Sequence, residues 1–186
     1  MLERLLQWDK ETLIYLNNLG EEGFDSFWVL ATDITNSIPF YILFGLLIGI
    51  THNRKQALYK IVSLITLIMV ILLLTHLVKE SVMRLRPNNE PALEGMIRVL
   101  RDPESYSFFS GHAATSFGMV TLLVLFVRKK LKWVWLFYIW AAVFAYSRIY
   151  VGVHYLLDII CGLGFGLLMA FLFYRIYNRF IAPDSA

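Results

Sequence analysis

Apolar residues along most of this chain do not alternate with polar ones; they run together. Stretches at about 38–51, 57–79, 112–127, 132–150 and 154–177 are almost continuously apolar, and several approach the ~20 residues a helix needs to cross ~30 Å of hydrocarbon. Pro39 suits the first turn of the first stretch. Ahead of them, residues 2–19 set Leu2, Leu5, Leu6, Trp8, Leu13 and Leu16 among charges. That mixture predicts an amphipathic helix, lying at a membrane surface or packed on the bundle. Residues 80–111 are polar, hold three of the five prolines and show little periodicity, so they read as one long loop. The expected fold is all-α, a polytopic transmembrane bundle of five to six spans. It forms a single domain over 1–186, with 1–35 as an N-terminal interfacial or packing segment and 80–111 as an extracytoplasmic loop.

Composition agrees with a membrane setting. The chain is 58% hydrophobic and 17% charged, with a mean hydropathy of +0.61, which is too apolar for an ordinary soluble domain of this length. The net charge of +3 does not imply a nucleic-acid partner, because the basic residues stand at the ends of apolar runs. The single cysteine excludes an internal disulfide and any multi-cysteine metal site, and Cys161 reads as a small packing residue. Glu3, Arg4, Asp9, Lys10 and Glu11 interrupt the first apolar residues, so no cleavable signal peptide is expected.

The placement of the basic residues adds an orientation. His52, Arg54, Lys55 and Lys60, then Arg128, Lys129, Lys130 and Lys132, then Arg175 and Arg179 mark the same ends of the spans, which the positive-inside rule makes cytoplasmic. The opposite ends carry Lys79, Arg86, Ser110, Gly111, His112, Arg148, His154 and Asp158. Every polar group that is costly in a membrane therefore gathers on one side.

Three stretches on that side carry chemistry. In SRIYVGVHYLLD, His154 and Asp158 are four apart, so on a helix the carboxylate orients one ring nitrogen and leaves the other free to attack. In SFFSGHAATSF, Ser110 suits a helix N-cap, Gly111 permits close backbone approach, and the first-turn N–H groups favour an anion. His112 is placed to protonate a leaving group. In KESVMRLRP, Lys79 and Arg86 are seven apart and share a face if the helix continues to Pro87; with Arg148 they neutralise a phosphoryl group.

The series K-x6-R-P at Lys79 to Pro87, S-G-H at Ser110 to His112 and S-R-x5-H-x3-D at Ser147 to Asp158 resembles the type 2 phosphatidic acid phosphatase superfamily. The last pattern alone matches about one start in 160,000 by chance if each fixed residue is roughly one in twenty. The resemblance spans residues 79–158 and leaves the N-terminal 35 residues out. It implies a phosphatase in which His154 is phosphorylated, Asp158 orients it and His112 is the general acid. Lys79, Arg86, Ser110, Gly111 and Arg148 then form the phosphate cradle. No cofactor or metal is implied. One departure is Phe109, where the family usually has proline.

The expected substrate is a lipid phosphate or diphosphate ester, and the small size and outward-facing site favour undecaprenyl diphosphate. Phosphatidylglycerophosphate, phosphatidic acid and the phosphates of lipid A are alternatives, and a non-hydrolytic lipid or anion transporter is a second class. The expected location is a bacterial inner membrane, crossed several times, with the site on its periplasmic side. Outside the motifs, His76 reads as a packing histidine, Arg98 and Arg101 as part of a solvated loop, and the glycines of CGLGFG as sites of close helix packing.

Overall fold

The structure, a computed structural model, describes residues 1–182. Helices occupy all five apolar stretches and the N-terminal one: α1 (Leu2–Asn18), α2 (Asp25–Ala31), α3 (Ile38–Thr51), α4 (Arg54–Val82), α5 (Gly111–Val127), α6 (Phe137–Tyr150) and α7 (Leu156–Ile176). No strand occurs among the described residues. Two helices, α4 and α7, are long and apolar enough to cross a membrane. The segments Glu22–Ala31 and Thr35–Thr51 meet at 68° and pass the same test only if they form one bent span. α5 is apolar but only 17 residues long.

Helix α5 is the centre of the bundle. Nearly all of it from Ala113 to Val127 is buried, and it packs on α7, α6, α4 and α3. The outer helices show the reverse pattern, with Leu58, Ile65, Met69, Leu72 and Leu73 of α4 and Leu168 and Phe171 of α7 all exposed. An apolar exterior around a well-packed axis suits lipid as the surrounding solvent.

Close approach of α5 and α7 requires glycine. A Cβ at Gly162 would meet the Ser110 carbonyl at 2.5 Å, and one at Gly166 would meet the Ala114 carbonyl at 2.3 Å. Two of the three glycines in CGLGFG therefore bring the helices together as expected, while Gly164 faces open space. Cys161 is not the packing residue expected; it is exposed.

The basic clusters converge at one end of the bundle. The Lys130 ammonium donates to the Thr51 carbonyl at the end of α3, and Lys60 of α4 lies over the rings of Phe126 and Tyr177. These contacts tie the far ends of α3, α4, α5 and α7 together.

Two expectations need correction. Helix α4 ends at Val82 with Met83 in the left-handed region (φ 50°), so Lys79 and Arg86 do not share a helix. Chain reversal ahead of Pro87 replaces the expected last turn. Helix α1 is helical as expected but buries Asp9, Leu13 and Asn17, a stripe four residues apart in which two of three are polar. Leu2, Leu5, Leu6 and Trp8 stay exposed. Asn17 Nδ2 donates to the carbonyls of Ile149 and Tyr150 at 3.1 and 2.9 Å, satisfying acceptors that the end of α6 leaves open.

Candidate active site

The α6–α7 connection is built around Gly152, whose φ of +76° suits a residue without Cβ; a side chain there would also meet the Arg98 carbonyl. The turn delivers His154 to the end of the bundle, where its side chain is 1% exposed. Asp158, in the first turn of α7, accepts the Tyr155 N–H at 3.0 Å through Oδ2. The same oxygen faces His154 Nδ1 at 3.2 Å, a contact made across the N-cap Tyr155 with His154 ahead of α7 and not on the shared helix face expected from the spacing, and accepts the Ser107 hydroxyl.

The opposite ring nitrogen, Nε2, lies 3.0 Å from Arg86 Nη1. A guanidinium can only donate, so Nε2 holds a lone pair and Nδ1 carries the proton toward Asp158. This is the tautomer a nucleophilic imidazole needs. Arg86 is fixed by the Ser105 carbonyl at 2.5 Å, the Ser105 hydroxyl at 3.0 Å and the Val153 carbonyl at 3.0 Å. Burial lowers its pKa to about 10, which leaves it cationic at neutral pH. Lys79 Nζ donates to the Tyr106 carbonyl at 2.5 Å.

Helix α5 brings Gly111 and His112 to the same place. Ser110 caps the helix by accepting from the Ala113 N–H at 3.4 Å, and its own N–H donates to the Asp158 carbonyl at 3.0 Å. Its hydroxyl oxygen caps the helix and does not line the cavity described below, which leaves the backbone of the first turn for an anion. His112 Nε2 lies 3.2 Å from the Thr32 carbonyl, so Nε2 bears a proton, and the ring lies 4.7 Å from that of Phe144. Arg148 donates through Nη1 to Thr32 Oγ1 at 2.6 Å. Its Nε is buried without a partner among the described residues, as is Thr75 Oγ1.

One cavity of about 400 Å³ joins the cations and both histidines, while Ser110 and Asp158 lie outside its lining. Lys79, Arg86, Gly111, His112, Arg148 and His154 line its polar end, and Ile34, Tyr41, Ile68, Leu72, Met119 and Phe144 line the remainder. Three cations thus meet at one end of an apolar passage with no carboxylate in its lining among the described residues, and Asp158 stands behind His154. An unpartnered buried guanidinium N–H beside a surplus of positive charge calls for an anion. The apolar remainder suits a hydrocarbon chain.

Several participants escape the sequence motifs. Arg84 donates to Asp158 Oδ1 at 2.8 Å through Nη1 and to Asp9 Oδ2 at 2.7 Å through Nη2. Ser107, Ser105 and Thr32 hold Asp158, Arg86 and Arg148 respectively. The position of Arg84 inside the x6 of the first motif was a signal in plain view; no signal marked Asp9 or Thr32. His76 is exposed and lines the cavity, so the expectation of a packed histidine is wrong. Arg98 is not a solvated loop residue: it binds both oxygens of Asp25 at 2.6 and 2.5 Å, with Tyr150 beside it. Arg101 does lie at the surface, 3.5 Å from Asp33. Phe109 is buried with its ring 4.8 Å from that of Phe165, so an aromatic contact to α7 occupies the place of the usual proline.

The profile of the PAP2 superfamily matches residues 60–182. A lipid A 4'-phosphatase of Bacteroides thetaiotaomicron is 29% identical over 98% of this chain and 82% of its own length. That of Porphyromonas gingivalis is 26% identical over 95% and 75%. An undecaprenyl-diphosphatase of Sulfolobus acidocaldarius is 36% identical over 69% of this chain and 58% of its own. Among solved structures, the PAP2-type phosphatidylglycerolphosphate phosphatase of Bacillus subtilis superposes with a TM-score of 0.77 at 20% identity, covering 95% of this chain and 88% of that one. Aquifex aeolicus LpxE does so with a TM-score of 0.68 at 28% identity, covering 89% and 93%. With its motifs gathered around one cavity and the family profile matching more than half its length, the chain belongs to the PAP2 superfamily and is a membrane lipid phosphatase.

Proposed function

We propose that the chain removes a phosphate monoester from a lipid with a sugar head group, of the lipid A type, through a phosphohistidine on His154. The observation that carries the chemistry is the position of His154: Nδ1 faces Asp158 and Nε2 opens on a cavity edged by Lys79, Arg86 and Arg148. Phosphate takes the free Arg148 Nε and exchanges with His154 for Arg86 Nη1. Nε2 then attacks phosphorus and the bond from phosphorus to the lipid oxygen breaks. The incoming dianion favours protonation of His112, whose Nε2–H stays on Thr32 while Nδ1–H passes to the leaving oxygen. Water next attacks the phosphohistidine, gives its proton to His112, and inorganic phosphate departs. Asp158 offsets the positive charge on the ring throughout. Lys79 supplies a point charge, and the Gly111 and His112 amides complete the cradle. Each step runs on side chains and backbone of this chain, without a metal.

Two observations favour the sugar-bearing substrate over the diphosphate. Both lipid A 4'-phosphatases align across nearly the whole chain. A second cavity of about 380 Å³ shares His112, Arg148 and Ile34 with the first and is otherwise lined by Thr32, Asp33, Arg101, Asp102 and Pro103. The leaving group must pass His112, so its polar part occupies this rim. Asp33 and Asp102 there, balanced by Arg101 and Arg148, offer acceptors and donors to sugar hydroxyl groups. Undecaprenyl diphosphate is the second reading, supported by the Sulfolobus relative and by Arg101.

We read α3 to α7 as five spans with α1 at the membrane surface; on that reading the positive-inside rule favours cytoplasmic basic ends and a site on the extracytoplasmic side of a bacterial inner membrane. The test is phosphate release by purified protein in EDTA from lipid A, undecaprenyl diphosphate, phosphatidylglycerophosphate and phosphatidic acid. Lipid A turns over fastest on this account. Loss of all activity in EDTA overturns the metal-free mechanism, and no release from any lipid revives the transporter.

A further inference from the structure

Helix α1 lies outside the stretch matched by the family profile, yet it places a carboxylate three hydrogen-bond links from His154. Asp9 is fully buried. Its Oδ1 accepts the Leu157 N–H at 2.9 Å, in the first turn of α7, and its Oδ2 accepts Arg84 Nη2 at 2.7 Å. The other arm of the same planar guanidinium holds Asp158 Oδ1 at 2.8 Å, which leaves Oδ2 for His154 and Ser107. The Arg84 guanidinium also stacks 3.8 Å from the Tyr155 ring centroid, so the fork cannot swing. A helix that needed only an anchor already has one in Leu13 and Asn17, and a buried carboxylate is a costly substitute for another apolar contact.

We propose that Asp9 and Arg84 are positioning residues for the phosphatase reaction. Arg84 fixes the carboxylate plane of Asp158, and Asp9 takes up part of the Arg84 charge so that Asp158 keeps its hold on the His154 Nδ1 proton. The inference rests on the reading of His154 as nucleophile. Other charges face the group from every side. Lys79, Arg86, Arg148 and His112 surround the cavity, Lys10 of α1 pairs with Glu90 at 3.5 Å, and Cys161 lies one turn along α7 from Asp158. None of these groups bridges the two carboxylates.

Opposite charges at the two positions give opposite signs. Asp9→Asn removes a negative charge, leaves Arg84 wholly on Asp158 and makes His154 harder to protonate. Arg84→Gln removes a positive charge and makes it easier.

The experiment is the pH dependence of kcat/KM on lipid A in detergent micelles for the wild type, Asp9→Asn, Arg84→Gln, the double variant and His154→Ala, with a melting curve for each. The acid limb, set by free neutral His154, moves down in Asp9→Asn and up in Arg84→Gln, each by on the order of one pH unit. In the double variant it returns toward the wild-type position. A purely structural role for α1 lowers melting temperature and rate without moving the limb, and that result overturns the inference even where His154→Ala is inactive. Turnover by His154→Ala overturns the nucleophile itself, and this inference with it.

Discussion

Arg86 Nη1 stands 3.0 Å from His154 Nε2, so on the proposed mechanism the residue that holds the nucleophile's lone pair in the resting protein is also the one beside the incoming phosphoryl group. Three of its other four donors go to Ser105 and Val153, which leaves one Nη2–H. Arg86→Ala is expected to lower kcat by about 10²- to 10³-fold, the usual effect of losing one preorganised donor to a developing oxyanion. Arg86→Lys recovers only part of this, since an ammonium cannot reproduce the fork. Steady-state phosphate release measures both.

Asp158 serves the site and the fold together. Asp158→Asn is expected to reduce kcat by about 10³- to 10⁴-fold, because the amide no longer fixes the Nδ1–H tautomer of His154. It also leaves Arg84 facing one carboxylate where it had two, so the variant melts at lower temperature. Kinetics and a thermal melt in detergent separate the two effects.

Ser110 behaves differently from the cations. Its oxygen caps the Ala113 N–H and the residue does not line the cavity, so Ser110→Ala costs about 1 kcal/mol of stability, as loss of an N-cap does. Activity falls less than tenfold. A larger loss, at unchanged melting temperature, means that the hydroxyl itself touches phosphate.

Gly166 tests the axis of the bundle. A Cβ there would sit 2.3 Å from the Ala114 carbonyl, and backbone cannot give way as a side-chain end can. Gly166→Ala is expected to destabilise the protein by about 1 to 3 kcal/mol, as overpacking does, whereas Gly164→Ala, facing open space, leaves the melting temperature nearly unchanged.

The helices and the ends of the bundle that hold chemistry were legible because apolar runs and charged ends are local features of the chain. The contact of His154 with Asp158 was legible from their spacing, although it forms across the N-cap of α7 and not within a helical turn. Arg84 and Asp9 were not, since their contact joins positions 75 apart and no periodicity connects them. Thr32, 116 positions from Arg148, was hidden in the same way. The first motif misled on geometry: seven residues make two turns only if the helix persists, and the left-handed Met83 ends it three residues before Arg86. Helix α1 was read through its leucines, although polar residues fasten it.

The central claim is that His154 carries phosphate covalently. Brief mixing of the purified protein with lipid A labelled with ³²P at its phosphate, followed by a denaturing quench, tests it directly. The account predicts label on the wild-type chain that survives alkali, is released by acid and maps to the peptide containing His154, with none on His154→Ala. Full phosphate release with no label at any quench time, or label that persists in His154→Ala, contradicts it.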